Sequence, residues 1–290
     1  MTLPATVVAP PPPGFLKSAW RLNRTKVGVG IVLLLVLIAL LGPFIAPYGE
    51  RESLGLPNQG DAPGTVFGTG KLGYDVWTRF LYGGRPILIQ AFLSTLLALV
   101  VGSLIGLVAA YNRRRLDDVL MRSMDVILAM PQIILVLVVI SMFGAHAWLI
   151  VLAVGFSTVP RIARVVRGAA VSVVERDFVA SAEALGEPRW RILSSELLPN
   201  ITAPLLVEAN LRLTFAIAAI GGIAFLGFAA DIGAANWGLM INEHRGVLAA
   251  DQPWGTLLPV FAIALLTIGT GLIGDGMSRA AAGIDRATAV

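Results

Sequence analysis

The sequence predicts an all-α integral membrane protein with six transmembrane helices. Hydrophobic residues make up 56% of the chain and charged residues only 14%, whereas a soluble globular protein carries about 25% charged residues. A chain of 290 residues is too short to enclose that much apolar surface in a core surrounded by water. Its long uncharged stretches indicate instead that lipid surrounds most of this surface.

Each full span should contain roughly the 20 apolar residues that a helix needs to cross the hydrocarbon core. The uncharged stretch 126–159 would form one helix of about 50 Å, so we divide it at residues 144–146, and its second part ends near Pro160 and Arg161. Within the second span, Gly102-x-x-x-Gly106 is typical of close helix packing. The predicted spans are 27–47, 87–110, the two parts of 126–159, 201–226 and 257–274.

The distribution of Lys and Arg predicts that both termini are cytoplasmic. Sixteen of the 22 basic residues then lie on the inner side and five on the outer side, as the positive-inside rule requires. The aromatic residues of the outer segments, such as Trp77 and Trp237, are expected to be membrane-interface anchors, or alternatively a docking surface for a partner. The predicted organisation is a cytoplasmic tail at 1–26, a first span at 27–47, an external segment at 48–85, a permease core at 86–277 with a cytoplasmic loop at about 161–200 and an external loop at about 227–255, and a cytoplasmic tail at 278–290.

Motifs for chemistry are missing or lie in the wrong context. Residues 68–73 match G-x-G-x-x-G, but a dinucleotide site needs a βαβ unit around that motif, and these residues lie between two membrane spans. The chain has no Cys and only two His, which have no partner at metal-ligand spacing. We therefore predict no catalytic residue, no metal site, no cofactor of its own and no nucleic-acid partner.

The cytoplasmic loop at 161–200 is too long for a mere connection, so we expect it to be structured or functional. A first helix runs through 175–185, and Gly186 stands where a C-terminal cap belongs. A second helix at 189–198 is predicted to place Trp190, Leu193, Ser194 and Leu197 on one face and to end at Pro199. These helices either lie among lipid headgroups or insert into a partner.

Residues 177–186, Asp-Phe-Val-Ala-Ser-Ala-Glu-Ala-Leu-Gly, followed by Leu-Leu-Pro-Asn at 197–200, resemble the EAA loop of binding-protein-dependent ABC importer permeases. From about residue 15 to 280 the chain also resembles the C-type permease of the dipeptide and oligopeptide branch. That resemblance is carried by residues 43–48, 67–76, 79–85, 225–227, 236–238 and 274–276. The chain departs from the motif at Ala180 and Ser181, which stand where the family has an acidic residue and its first alanine.

The resemblance implies the type I importer permease fold and a subunit that forms the translocation path for peptides in a prokaryotic plasma membrane. Alternative substrates within the family are nickel or another small solute. ATP and Mg²⁺ would be bound by partner subunits, and the implied partners are a second permease, two ATPases and an extracytoplasmic substrate-binding protein. The residues that the resemblance assigns to ATPase coupling are Ala182, Glu183, Ala184, Leu185 and Gly186.

Glu208 and Arg212 lie within the predicted fifth span at a spacing that suits an ion pair. A charge inside a membrane usually faces the bundle interior, a cavity or a partner. Two interpretations remain open: Arg212 lines the translocation path and attracts a peptide carboxylate, or the pair is structural and neutralises itself. Asp125 and Asp275 are expected to be boundary residues.

Rival functions are an ion-coupled secondary transporter that uses Glu208, and a membrane-embedded enzyme, although neither internal repeats nor clustered catalytic residues support them.

Overall fold

The computed structural model describes residues 14–112, 115–231, 233–246 and 252–282. Within these ranges every regular element is a helix, apart from two isolated β-bridges at Ser53–Tyr74 and Thr69–Asp75. Parts of both predicted tails and of the external loop, at 1–13, 283–290 and 247–251, lie outside the described residues. The helices are α1 Phe15–Arg21, α2 Asn23–Ile45, α3 Val76–Asn112, α4 Arg115–Leu128, α5 Gln132–Phe143, α6 Ala147–Val174, α7 Asp177–Ala184, α8 Arg189–Arg191, α9 Leu198–Asn200, α10 Thr202–Phe225, α11 Trp237–His244 and α12 Trp254–Ala282, with a π-helical turn Ile192–Leu197 between α8 and α9.

The predicted six-span architecture is confirmed, with one span broken. Among the described residues, five helices are individually long and apolar enough to cross a membrane: α2, α3, α6, α10 and α12. Helices α4 and α5 are apolar enough only when taken as a pair, and they make up the sixth span if this pair, which is bent by 80° at a short break, counts as one span. Helices suit this environment because they satisfy their own backbone hydrogen bonds where no water is present.

The break explains why a straight span from residue 126 is wrong. A prediction from hydropathy alone does not detect the helix break at Pro131. This residue lacks an amide hydrogen and disfavours helical conformation in the residue before it. Helix α5 has 12 residues and rises about 18 Å, so it cannot cross a core of about 30 Å by itself. The predicted turn at 144–146 is confirmed, because α5 ends at Phe143, Gly144 has a φ of 88°, and α6 begins at Ala147.

Helix α6 corrects the predicted end of the fourth span near Pro160 and Arg161. The helix passes through Pro160 and continues to Val174, so the loop that follows begins at Glu175 instead of residue 161. Proline is tolerated inside a membrane helix when neighbouring helices support the freed backbone groups. The charged residues after Pro160 therefore do not end the helix. They lie in the part of α6 that forms polar contacts with other helices.

Helix α3 begins earlier than the sequence predicts. It starts at Val76, so residues 76–85 of the predicted external segment 48–85 are helical. The Asp75 carboxylate accepts the Thr78 amide hydrogen at 2.8 Å, which is an N-cap interaction. With 37 residues, α3 is about 55 Å long and extends well beyond a bilayer core.

The helices pack around two apolar clusters at opposite ends of α6. The α11 cluster joins α3, α6, α10 and α11, and the α7 cluster joins α3, α4, α6 and the residues after α6. Members of the α11 cluster include Ile87, Ile150, Val154, Ile217, Ile220 and Trp237. Members of the α7 cluster include Leu107, Met124, Ile162, Val166, Val179, Ile192 and Leu197.

Glycines allow α3 and α6 to approach closely, as the Gly102-x-x-x-Gly106 motif predicts. A Cβ atom on Gly102 would lie 2.8 Å from Cβ of Ile162, and one on Gly106 would lie 2.6 Å from the Ala163 carbonyl oxygen. Both distances are shorter than atoms tolerate, so these positions require glycine. The contact fixes α6, which leads directly into α7.

We expect Gly106→Ala to lower the stability of the purified protein by about 1–3 kcal/mol, because the added methyl group overpacks the α3–α6 contact. The measurement is thermal unfolding in detergent. Gly30→Ala in α2 is the matched control, since a Cβ there would meet no atom within 4 Å. Equal unfolding temperatures for the Gly106→Ala and Gly30→Ala variants would contradict this account of the α3–α6 contact.

Candidate functional site

Residues 175–200, here called the coupling segment, begin with a helix that ends in a defined turn. Gly186 has a φ of 78°, and its amide donates to the Glu183 carbonyl at 3.0 Å. The Glu187 amide donates to the Ala182 carbonyl at 3.1 Å. This pair of bonds is a Schellman motif, in which glycine is favoured because a Cβ penalises the left-handed conformation. The sequence prediction of a helix capped by Gly186 is confirmed.

The tip of this turn is open to solvent. Leu185 is 84% exposed, and a Cβ on Gly186 would meet no atom within 4 Å. Glu183 and Ala184 are exposed beside them, and Trp190 on the other side of the turn is 69% exposed. The segment therefore presents a leucine and a tryptophan away from the bundle, which suits a contact with a partner better than a place in this chain's own core.

Buried residues hold the base of the coupling segment to the bundle. Val179 of α7 and both Ile192 and Leu197 of the π-helical turn are fully buried in the α7 cluster. Ala182 packs against the same cluster from the inner side of α7. The exposed tip thus stands on a base that is packed against α3, α4 and α6.

The second helix of the coupling segment differs from its prediction at 189–198. Helical structure continues from Arg189 to Asn200 and does not end at Pro199. The predicted face is wrong, because Trp190 is exposed while Ile192 and Leu197 are buried. These two residues are five apart, which matches the π-helical turn and not the α-helical spacing on which the predicted face depended.

Polar contacts fix the position of the coupling segment. The Tyr111 hydroxyl at the end of α3 lies beside the Glu183 carboxylate. On the other side of the turn, Arg191 pairs with Glu187 at 3.2 Å. Glu183 therefore connects the predicted coupling residues 182–186 to a membrane-spanning helix.

A row of arginines on α6, which the sequence did not reveal as a unit, holds α4 and α5. Arg161 donates to the Gln132 side chain at 2.8 Å, and Arg167 makes two bonds of 2.5 Å to Asp117. Between them, Arg164 pairs with Asp125. Asp125, which was expected to be a boundary residue, also joins α4 to α6 through this pair. The sequence signal for this row was the spacing of the arginines, which follow one another at intervals of three residues. Their side chains share one helix face only if α6 continues past Pro160.

The predicted pairing of Glu208 and Arg212 is confirmed. Their side chains are 8% and 13% exposed, and Arg212 Nε donates to Glu208 Oε1 at 2.6 Å. The Arg212 guanidinium also lies 5.4 Å from the centre of the Phe215 ring. The pair is thus internal to α10, whereas residues 182–186 form a separate, exposed turn.

The end of the bundle away from the coupling segment is covered by residues 46–75 together with 229–231, 233–236 and α11, here called the cap. Trp237 is fully buried against Phe80 and donates to the Phe80 carbonyl at 2.8 Å. Gly83 and Gly84 of α3 make room for its ring. The expectation that Trp237 is a membrane-interface anchor is wrong, because the residue belongs to the packed core.

Buried polar residues join the cap to α3. Arg79 forms an ion pair of 2.6 Å with Glu243, and both side chains are almost fully buried. The neighbouring His244 is fully buried, and its Nδ1 donates to the Met240 carbonyl at 2.8 Å. Burial lowers the pKa of the His244 imidazole, because the charged form loses its solvation. At the rim of the cap, the Gly233 amide lowers the pKa of the Asp231 carboxyl, with a smaller contribution from Arg51.

Two family models match the chain. Residues 102–282 match the model described as "binding-protein-dependent transport system inner membrane component". Residues 23–59 match the "N-terminal TM domain of oligopeptide transport permease C". The first match contains the coupling segment, α10 and α12, and the second contains α2.

Curated relatives are similar over almost the whole chain. The dipeptide transport system permease protein DppC of Alkalihalophilus pseudofirmus is 33% identical, over 91% of this chain and 89% of the relative. DppC of Bacillus subtilis is 30% identical, over 95% of this chain and 88% of the relative. The glutathione transport system permease protein GsiD of Pectobacterium atrosepticum is also 30% identical, over 91% of this chain and 89% of the relative.

A solved structure shares the fold. A chain of the MetNI methionine ABC transporter, in an inward-facing conformation, matches with a TM-score of 0.53 and 18% identity. The match covers 69% of this chain and 96% of that chain. The likeness confirms the type I importer permease fold. The chain belongs to the family of binding-protein-dependent transport system inner membrane components, the permease subunits of ABC importers.

Proposed function

We propose that this chain forms part of the translocation path for short peptides across a prokaryotic plasma membrane, in an importer driven by separate ATPase subunits. The names of its relatives support peptides as the substrate class, since they include dipeptide and glutathione permeases. The observation that carries the coupling role is the exposed turn at Leu185 and Gly186, which stands on a buried base.

The coupling residues Ala182, Glu183, Ala184, Leu185 and Gly186 dock on an ATPase subunit. The exposed Leu185 and the rigid glycine turn fit a groove on that partner, while Ala182 faces the α7 cluster. ATP and Mg²⁺ are bound by the ATPase subunits, and this subunit takes no cofactor of its own. Movement of the ATPases reaches the membrane through the α7 cluster, because α7 follows directly after α6.

The complete importer contains a second permease of similar fold, two ATPases and an extracytoplasmic substrate-binding protein. Both termini and the coupling segment face the cytoplasm, and the cap faces the binding protein. The distribution of Lys and Arg supports this orientation. ATP binding would open the path toward the cap, and hydrolysis would return it to the cytoplasmic side.

Family membership favours an ATP-driven importer over an ion-coupled secondary transporter. Glu208 and Arg212 are candidates for the translocation path, with a structural ion pair as the alternative. Their contacts favour the structural role, because Glu208 and the Phe215 ring already compensate the charge of Arg212. Nickel or another small solute remains the alternative substrate, which the uptake experiments below distinguish from peptides.

We expect Gly186→Val to lower ATP-driven peptide uptake about five- to thirtyfold, since a β-branched residue in the left-handed conformation costs roughly 1–2 kcal/mol. The measurement is uptake into proteoliposomes that contain the complete importer. Peptide uptake by the Gly186→Asn variant should stay close to that of the wild type, because Asn tolerates the left-handed conformation.

Gly168→Val is the matched control for the Gly186 variants, since a Cβ at this exposed position on α6 would meet no atom within 4 Å. Copurification of the ATPases establishes whether each complex assembles. Uptake by Gly186→Val equal to that of the Gly168→Val control would contradict the coupling role of the turn.

The charge-swapped double variant Glu208→Arg with Arg212→Glu tests the ion pair. We expect assembly and peptide uptake within about threefold of wild type, because the swap keeps an i, i+4 pair. Arg212→Gln alone should reduce assembly, since it leaves a buried carboxylate unpaired. Loss of uptake in a swapped complex that assembles normally would favour the path-lining role instead.

A further inference from the structure

A cavity of about 310 Å³ lies between the cap and the bundle, at the opposite end of α6 from the coupling segment. Its size is at the lower end of the range for small-ligand sites, roughly 300–1,000 Å³. Helix α3 contributes Pro86, Ile89 and Gln90, and Ala147 is the first residue of α6. The remaining wall is formed by residues 229–231 and 234–236, which precede α11.

Gln90 is the polar group on the bundle side of this cavity. The residue is only 7% exposed, and its side chain makes no hydrogen bond to any part of the chain that the structure describes. A carboxamide that lines a cavity and lacks a partner is therefore available to a ligand, with both a donor and an acceptor.

Asn236 is the polar group on the cap side. Its Oδ1 caps α11 by accepting the amide hydrogens of Gly238 at 2.9 Å and Leu239 at 3.4 Å. These bonds fix which atom of the carboxamide is oxygen, so the orientation of Nδ2 is fixed as well. Across the described ranges, Nδ2 has no acceptor, and Asn236 lines the same cavity as Gln90.

The rest of the wall is small and carries no free charge. Asp231 at the rim is already paired with Arg51 and accepts the Gly233 amide hydrogen at 2.9 Å. The cavity therefore offers neutral hydrogen bonding between smooth apolar walls. Half of the ten lining residues are alanines: Ala147, Ala229, Ala230, Ala234 and Ala235.

We propose that this cavity is a subsite for the backbone of the transported peptide. The Gln90 carboxamide pairs with one N–H and one C=O of the peptide, and Asn236 Nδ2 donates to a second carbonyl. The alanine walls admit small side chains next to these groups. The proposal rests on the proposed function and adds to it the residues that recognise the substrate class.

The first test is uptake of trialanine by the complete importer in proteoliposomes. We expect Gln90→Leu to lower kcat/KM of uptake about five- to a hundredfold, through the loss of both hydrogen bonds that its carboxamide makes to the peptide. Asn236→Asp should act similarly, because it keeps the helix cap and removes the Nδ2 donor. Ala230→Leu should also reduce uptake by filling the cavity, whereas Ala218→Leu on the exposed face of α10 should not.

The second test uses the absence of cysteine from the chain. Ala230→Cys provides a single thiol in the cavity, and its rate of maleimide labelling in the complete importer reports occupancy. We expect trialanine to slow the labelling, and Gln90→Leu to weaken that protection.

Three results would contradict the subsite. Trialanine uptake by Gln90→Leu equal to wild type would remove Gln90 from recognition. Protection of the thiol in the Ala230→Cys variant by the binding protein without peptide would assign the cavity to a docking loop of that partner. Failure of the wild-type importer to take up any peptide would instead reject the proposed function, and the subsite with it.

Discussion

The structure depends on one constraint: charges and backbone polar groups inside a membrane must find partners within the protein. Helices satisfy the backbone, and specific pairs satisfy the charges. Glu208 compensates Arg212 within α10, and on the predicted inner side Arg167 of α6 is held by Asp117 of α4. Where a helix breaks, at Pro131, the side chain of Gln132 is bonded by Arg161 from the neighbouring helix. The broken span is thus joined to α6 at the break.

This pairing makes α6 the central element of the molecule. It packs on α3 through the glycines at 102 and 106, it holds α4 and α5 through its arginines, and it leads into α7. The α7 cluster then connects the buried base of the coupling segment to the same helices. A partner that moves the exposed turn would therefore move α3, α4 and α6 together, which is the mechanical basis of the coupling that we propose.

Hydropathy and capping rules predicted the all-α class, the six spans and the Gly186 turn, since these depend on local chemistry. The predicted helix ends were wrong where tertiary contacts override the local sequence signals. Pro160 lies inside α6 because neighbouring helices support it, and α3 starts at the Asp75 cap in a segment that was predicted to be external. Trp237 is buried only because Gly83 and Gly84 leave space for it. The partner of Arg161 and the cavity that Gln90 lines depend on three-dimensional proximity, which residue spacing alone does not establish.

The measurement that tests the central claim most directly is peptide uptake into proteoliposomes that hold this chain with its second permease, ATPases and binding protein. The account predicts uptake that requires ATP and every one of these partners. ATP hydrolysis without peptide accumulation would contradict the peptide substrate but leave the importer intact. Failure of this chain to bind any ATPase subunit would contradict the coupling role of the Gly186 turn and the function built on it.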